Sequence, residues 1–321
     1  MLKVGVSEAA DASLHRLMPP GVTLEVIPVE PERAVDVEFW IVPPYPRHAA
    51  QAWPWLRGVH VAQSSLAGVD GLLPLFPPEV TLCDARGVHS AATAEWVLAV
   101  ILASLKDLPL YDDIRRAGVW QRRKEAQERY CALHPGEQAH YPRVLLDDLQ
   151  GKRALIVGYG SIGQAIEERL QPFGVEIDRV ARTARAGVSA IGDLADLLPA
   201  ADIVVLIVPM TAETAGMIGA KELALMKPGA LLVNAARGPV VNTAALLAAL
   251  GDGHLRAALD VSDPEPLPDG HPLWSAPNLI LTPHIAASTP MFMTRVMRFA
   301  AKQVSRYVRG EPLENVVKGA Y

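Results

Sequence analysis

Three residues in the second half of this chain carry side chains suited to chemistry, and each lies just past an apolar run. Arg237 stands in Asn234-Ala235-Ala236-Arg237-Gly238, after Leu231-Asn234. Glu265 stands in Asp260-Val261-Ser262-Asp263-Pro264-Glu265-Pro266, after Ala257-Val261. His284 stands in Thr282-Pro283-His284-Ile285, after Leu279-Thr282. If the runs are parallel strands, all three residues fall at their C-terminal ends, where open α/β sheets bind ligands. An Arg, a Glu and a His beside a nucleotide suit hydride transfer to a ketone, in which charge develops on an oxygen that then needs a proton. Taken singly, each has a plainer reading. An Arg after a strand is usually a surface charge, a His after proline can be a core residue, and a Glu in a proline-rich acidic loop is usually solvated. Arg237 departs from the first pattern because small residues flank it.

The nucleotide is indicated by Gly158-Tyr159-Gly160-Ser161-Ile162-Gly163, which follows the apolar run Ala154-Val157 and precedes a helical pattern from Gln164 to Phe173. Strand, glycine turn and helix in that order form a dinucleotide-binding fingerprint. Gly158 allows the tight turn, Gly160 admits a pyrophosphate to the backbone, and Gly163 lets the helix pack on the strand. The helix N-terminus offers free N–H groups and a positive dipole end to phosphate. The acid that holds the ribose 2′-OH in NAD-binding domains belongs about 20 residues further on. Ala181 occupies that place, followed by Arg182, Thr183 and Arg185. Guanidinium forks and a hydroxyl suit a 2′-phosphate, which an acid would repel. The reading therefore favours NADP(H), with NAD(H) as the alternative if Asp178 marks the strand end.

Alternating elements must position these groups. From Lys152 onward, strand candidates at Arg153-Val157, Glu176-Val180, Ile203-Val208, Leu231-Asn234, Ala257-Val261 and Leu279-Thr282 alternate with helical links. Their nearly continuous apolar runs fit a parallel sheet covered on both faces. Residues 1 to about 95 hold short strands, proline-rich turns and intervening helices, a small α/β unit of their own. Helical patterns run from Ala91 to about Asp107 and from Leu110 to Arg123, and 131–147 reads as an irregular surface loop. Pro290 to Arg309 reads as one amphipathic helix that returns the chain to the first unit. The expected architecture is a doubly wound Rossmann domain (98–286) inserted into a smaller α/β substrate domain (1–97 and 287–321), with a ligand cleft between the lobes.

Bulk composition narrows the function. The 321 residues suit two domains, and the net charge of −5 gives no reason to expect nucleic-acid or membrane binding. Two cysteines, Cys83 and Cys131, suggest a reducing compartment and hence the cytoplasm. The N-terminus reads as a strand rather than a signal peptide. The nine histidines lack ligand spacing, so no metal site is expected.

At this point the chain resembles the D-isomer-specific 2-hydroxyacid dehydrogenase family over nearly its whole length. The resemblance rests on the glycine motif, Pro209-Met210-Thr211-Ala212-Glu213-Thr214, Met226-Lys227-Pro228-Gly229, Asn234-Gly238, Asp260-Val261, Glu265-Pro266 and Thr282-Pro283-His284. Ala67-Gly68-Val69-Asp70 and Thr93-Ala94-Glu95 match more loosely. It implies a flavodoxin-like substrate domain and reduction of a small 2-keto acid to a 2-hydroxy acid. In that scheme Arg237 holds the substrate carboxylate and polarises the carbonyl, and His284 is general acid in reduction and base in oxidation. Glu265 fixes the imidazole tautomer, and Asp260 holds the nicotinamide carboxamide. Backbone amides of Leu66, Ala67 and Gly68 receive the substrate carboxylate. Thr93, Val208, Pro209, Thr214 and Ala235 line the cofactor beside the glycine motif, and the protein is a homodimer by analogy. Two departures stand out. The interval from Arg237 to Glu265 is one residue short, a deletion expected near Gly253-His254-Leu255, and Asn242 replaces an acid.

Rival readings keep the fold. Formate dehydrogenases carry Gln where Glu265 stands. Phosphoglycerate dehydrogenases often append a regulatory domain, and this chain ends soon after its last helix. NAD(H)-sensing corepressors act by binding partners and are expected to show NAD preference and extra tails. Trp53, Trp55, Trp120 and Tyr141 could shape an aryl pocket or fill core and interface, with the second expected first. His89, His134 and His140 are expected to be solvated or structural.

Overall fold

The computed structural model describes residues 1–8, 10–135, 143 and 145–318. The chain divides into two compact units, Met1–Ser90 with Ser288–Tyr321, and Ala91–Ala287.

In the first unit, β1 (Leu2–Ser7), β2 (Val22–Ile27), β4 (Phe39–Ile41), β6 (Val61–Gln63) and β7 (Thr81–Cys83) form a parallel sheet in the order β2-β1-β4-β6-β7. The short β3 (Val35–Asp36) and β5 (Leu56–Arg57) pair separately. Counted along its own five strands the sheet runs 2-1-3-4-5, the flavodoxin-like order. Alternate strand residues go to opposite faces. Phe39 and Ile41 join Val4, Val6 and Val61 against Val296, Met297, Ala300 and Val304 of the long helix α9 (Phe292–Val308). Trp40 goes to the other face, where it stacks on Trp53 at 6.1 Å and meets Phe76 edge-on at 5.9 Å. Trp53 is thus a core residue of this unit rather than an aryl-pocket wall.

In the second unit, β8 (Arg153–Val157), β9 (Glu176–Ala181), β10 (Ser189–Ala190), β11 (Ile203–Leu206), β12 (Leu231–Asn234), β13 (Arg256–Leu259) and β14 (Leu279–Leu281) form one parallel sheet. Their order is β10-β9-β8-β11-β12-β13-β14. This is a doubly wound α/β sheet whose strand order reverses between β8 and β11. The strands are apolar without alternation because both faces are covered. Leu155, Val157, Val204, Leu206 and Leu232 pack on one side with Leu246 and Leu250 of α8 (Thr243–Gly251). Ile156, Ile203, Val205, Leu231 and Val233 pack on the other with α2 (Ser90–Leu105) and α5 (Ser161–Leu170). Each such side chain contributes about 1.5–3 kcal/mol by leaving water. Helix α2 gives Ala94, Val97, Ile101 and Leu105 to this core, and the second unit runs from Ala91.

The helical stretch after α2 differs from expectation. The single helix expected over Leu110–Arg123 is broken. Helix α3 (Leu108–Ala117) stops at Gly118, whose φ of 68° caps it in the left-handed region. A 3-10 turn (Trp120–Lys124) and α4 (Glu125–Leu133) follow, so Cys131 to Leu133 are helical rather than irregular. The basic cluster here is a solvated, ion-paired face: Arg115 and Arg116 meet Asp112, and Arg122 meets Asp113 and Glu125. His134 stacks on Tyr130 at 4.1 Å. Most of the expected 131–147 loop, with His140 and Tyr141, lies outside the described residues. Among the described residues no helix is long and apolar enough to cross a membrane.

Candidate active site

The glycine turn sits at the reversal of strand order. Gly158 has a φ of +107°, and a Cβ there would stand 2.5 Å from the Ile207 carbonyl oxygen and 2.8 Å from the Val208 nitrogen. The end of β8 can lie this close to the end of β11 only if the residue is glycine. A Cβ on Gly163 would meet the Gly158 carbonyl at 2.6 Å. Gly160 is different: nothing of the protein lies within 4 Å of a Cβ built there. Its missing side chain keeps open a space rather than a contact. Gly160 is also the N-cap of α5, and no side chain caps the helix. Uncapped amides facing a cradle that a Cβ would fill fit a pyrophosphate.

Strand β9 extends to Ala181, which places that residue at the strand end as expected. Asp178 pairs with Arg153, opposite Leu155 in the sheet register, and so does not reach the strand end. Arg182 lies 3.8 Å from Glu213, and both are exposed. Arg185 donates from Nη2 to the Tyr159 carbonyl at 2.6 Å and lies over the Tyr159 ring. The phenol of Tyr159 donates to Glu167, which also binds Arg179. Thr183 is exposed. Val208 and Pro209 follow β11, and Ala235 follows β12, donating its amide to Leu206. The Thr214 hydroxyl is spent within its own loop, donating to the Pro209 carbonyl at 2.7 Å and accepting from the Thr211 amide at 2.9 Å. Thr93 is buried in the first turn of α2.

Arg237 is set by its loop. Buried Asn234 accepts from the Ala236 amide and donates to the Arg237 carbonyl, both at 3.0 Å. The guanidinium donates to the Ala236 carbonyl at 2.8 Å. The next residue must be glycine, because a Cβ on Gly238 would stand 1.9 Å from the Ser262 carbonyl oxygen. That approach brings the Arg237 loop onto the loop that leads to Glu265. Asn242 caps α8, accepting from the Ala245 amide at 2.9 Å. Its substitution for an acid therefore acts on loop structure.

His284 holds a φ of 54°, uncommon for a non-glycine residue. Asp260 enforces it. The Asp260 carbonyl accepts from the His284 amide at 2.7 Å. Its Oδ1 accepts from the Thr282 hydroxyl (2.6 Å) and the Ile285 amide (2.8 Å), and Oδ2 from the Ala286 amide (2.9 Å). Asp260 is buried, and its carboxylate anchors the His284 turn. The anchoring role, like that of Asn234, left no mark in sequence spacing.

The outcome is a close pair. His284 Nδ1 lies 2.6 Å from Glu265 Oε1, and both side chains remain half exposed. The bond to Glu265 raises the His284 pKa above the usual imidazole range, against burial and the nearby Arg237 charge, which lower it. The same bond holds Glu265 below the usual carboxylate range, and burial opposes it. The Arg237 charge also acts on both groups and lowers the pKa of each. An ionised carboxylate at Nδ1 fixes the tautomer and leaves Nε2 for proton exchange. Among the described residues no group of three or more His, Cys, Asp or Glu is placed to hold a metal.

The loop after β6 in the first unit differs in one respect from expectation. The Leu66 amide donates to Ser64 Oγ at 3.0 Å, and the Leu66 carbonyl accepts from Ala85. This amide is therefore not available to a substrate. Ala67 lies in the same bend and Gly68 follows it in irregular backbone, and Ala67 is engaged within the protein. Behind the loop, buried His89 meets the Ser65 carbonyl through Nε2 at 2.9 Å and stacks on Phe292 at 4.3 Å. His89 is thus structural, as expected.

The fold and site define a nicotinamide-dependent oxidoreductase domain, and comparison with known proteins gives the family. The D-isomer specific 2-hydroxyacid dehydrogenase NAD binding domain matches residues 98–286, more than half of the chain. A glyoxylate reductase of Thermococcus gammatolerans is 37% identical over 230 residues, covering 70% of this chain and 65% of the relative. A D-3-phosphoglycerate dehydrogenase of Mycobacterium bovis is 33% identical over 290 residues, covering 88% of this chain and 49% of the relative. Among solved structures, a D-isomer specific 2-hydroxyacid dehydrogenase of Xanthobacter autotrophicus, in complex with NADPH and MES, superposes with a TM-score of 0.74. It is 27% identical and covers 98% of each chain. The chain belongs to the D-isomer specific 2-hydroxyacid dehydrogenase family.

Proposed function

We propose that this protein reduces small 2-keto acids, of the size of glyoxylate or hydroxypyruvate, to D-2-hydroxy acids and prefers NADPH to NADH. One observation carries the reading: the 2.6 Å bond between His284 and Glu265 at the C-terminal edge of the nucleotide sheet, beside the Arg237 charge. When bound, the nicotinamide supplies the hydride. Gly158, Gly160 and Gly163 with the α5 N-terminus hold the pyrophosphate, and Tyr159, Ser161 and Ile162 complete that turn. Arg237 receives the substrate carboxylate with its fork and draws charge onto the carbonyl oxygen. His284, protonated over a wider pH range because of Glu265, gives its Nε2 proton to that oxygen, and takes it back in oxidation. The Gly68 amide is the loop donor best suited to the substrate carboxylate. The experiment is the loss of nicotinamide absorbance with NADPH or NADH over a panel of 2-keto acids. Turnover of none of them, despite cofactor binding, would reject the reading.

The NADPH preference rests on Ala181 at the strand end with Arg182, Thr183 and Arg185 exposed beyond it. Ala181→Asp is expected to raise the KM for NADPH by tenfold or more while changing that for NADH several-fold less. The cause is a carboxylate facing a phosphate of nearly two charges. Equal effects on the two cofactors would remove the selectivity argument. Both cysteines are free, in keeping with a cytoplasmic protein. A homodimer would use the α2–α4 region, where Val119 and Trp120 are exposed, and its mass in solution tests this.

A further inference from the structure

We infer that Tyr159 is a positioning residue for cofactor choice: its ring and carbonyl hold the Arg185 guanidinium where the 2′-phosphate of NADPH is received. This rests on the NADPH preference proposed above and goes beyond it. The starting point is a contrast among the guanidinium groups of β8, α5, β9 and the turn that follows. Arg153 meets Glu176 and Asp178, Arg169 meets Glu95, Arg179 meets Glu167, and Arg182 meets Glu213. Arg185 alone of the five meets no carboxylate of the described residues. Its Nη2 donates to the Tyr159 carbonyl at 2.6 Å, and its guanidinium carbon lies 5.8 Å from the centre of the Tyr159 ring. Nε and Nη1 have no hydrogen-bond partner among the described residues, which leaves most of the fork for an anion.

Tyr159 is itself held. Its phenol donates to Glu167 at 2.5 Å. Glu167 is buried, and its carboxylate also accepts from Arg179 Nε at 2.6 Å and from Gln171 Nε2 at 2.9 Å. Arg179 lies over the same ring, its guanidinium carbon 5.6 Å from the centre. The two cations on this ring differ in charge balance: Glu167 neutralises Arg179, and no described carboxylate neutralises Arg185. The backbone of Arg185 is tied as well. Its amide donates to the Val188 carbonyl at 3.0 Å, and its carbonyl accepts from the Val188 amide at 2.8 Å. A cation over an aromatic face, with its backbone fixed and no counter-ion, is preorganised for an anion brought by a ligand. The pyrophosphate cradle uses the glycines and the uncapped amides of α5, none of which needs a phenol beside it. The Tyr159 amide donates to the Val180 carbonyl at 3.1 Å, next to Ala181. The side chain therefore stands where an NAD-binding domain would read the ribose 2′ position.

The test is calorimetric binding of 2′,5′-ADP and 5′-AMP, which differ only in the 2′-phosphate. The ratio of their dissociation constants separates that group from the rest of the cradle. Wild type is expected to bind 2′,5′-ADP tighter by about thirtyfold, and Arg185→Gln by only about threefold. Tyr159→Leu is expected to cut the wild-type ratio about fivefold, and Tyr159→Phe, which keeps the ring, by less than about twofold. The double variant of Arg185→Gln with Tyr159→Leu is expected to match Arg185→Gln alone, because Tyr159 acts through Arg185. An undiminished ratio in Tyr159→Leu, or a further drop in the double variant, would overturn the inference and leave the NADPH preference standing. A wild type that binds the two ligands equally would overturn both.

Discussion

His284→Gln should lower kcat for keto-acid reduction by about 10²–10⁴-fold, the usual range for removing a general acid. Glutamine keeps a polar side chain of similar reach but cannot give up a proton at neutral pH. The turn around residue 284 should survive, since it is held through backbone atoms. The Asp260 carbonyl takes the residue 284 amide, and the Asp260 carboxylate takes those of Ile285 and Ala286. Binding of NADPH should therefore change little, because the phosphate cradle lies at Gly158 to Gly163 on a different strand end. Steady-state kinetics with a fluorescence titration of NADPH check both halves. A variant of near-wild-type kcat would take His284 out of the chemistry.

Arg237→Ala should cost about 10²–10³-fold in kcat/KM, the magnitude of losing one preorganised donor to a developing oxyanion. Both KM and kcat should suffer, because the same fork serves the carboxylate and the carbonyl. Arg237→Lys should recover only part of this, since an ammonium is a point charge and not a planar fork. The loop itself should persist, because Asn234 holds it through the Ala236 amide and the residue 237 carbonyl. The check is a comparison of both constants in the two variants, with cofactor affinity as control. Full activity in Arg237→Ala would assign the carboxylate to another group.

Much of this site was legible in the order of residues, for physical reasons. Strands buried on both faces, such as Leu155 to Val157, must be apolar throughout, and such runs are easy to find. The glycine turn was legible because Gly158 and Gly163 have no room for a Cβ. Arg237, Glu265 and His284 were legible because each follows such a strand. What stayed hidden was decided by side-chain bonds with no periodicity. Ser64 takes the Leu66 amide that was expected to serve a substrate. The Asp260 carboxylate anchors the His284 turn, a role with no signal in residue spacing. Helix α4 was missed because Gly118 ends α3 early and the polar residues after it show no clear apolar stripe.

The most direct test of the chemistry is the pH dependence of kcat/KM for keto-acid reduction in wild type and Glu265→Gln. Protonated His284 is the reactive form, and its pKa is raised chiefly by Glu265. The wild-type rate should therefore hold through neutral pH and fall, with loss of one proton, only above the ordinary imidazole range. In Glu265→Gln the fall should move to lower pH. Coincident profiles for the two proteins, or a wild-type rate indifferent to pH across that range, would contradict the assignment of this pair as the proton donor.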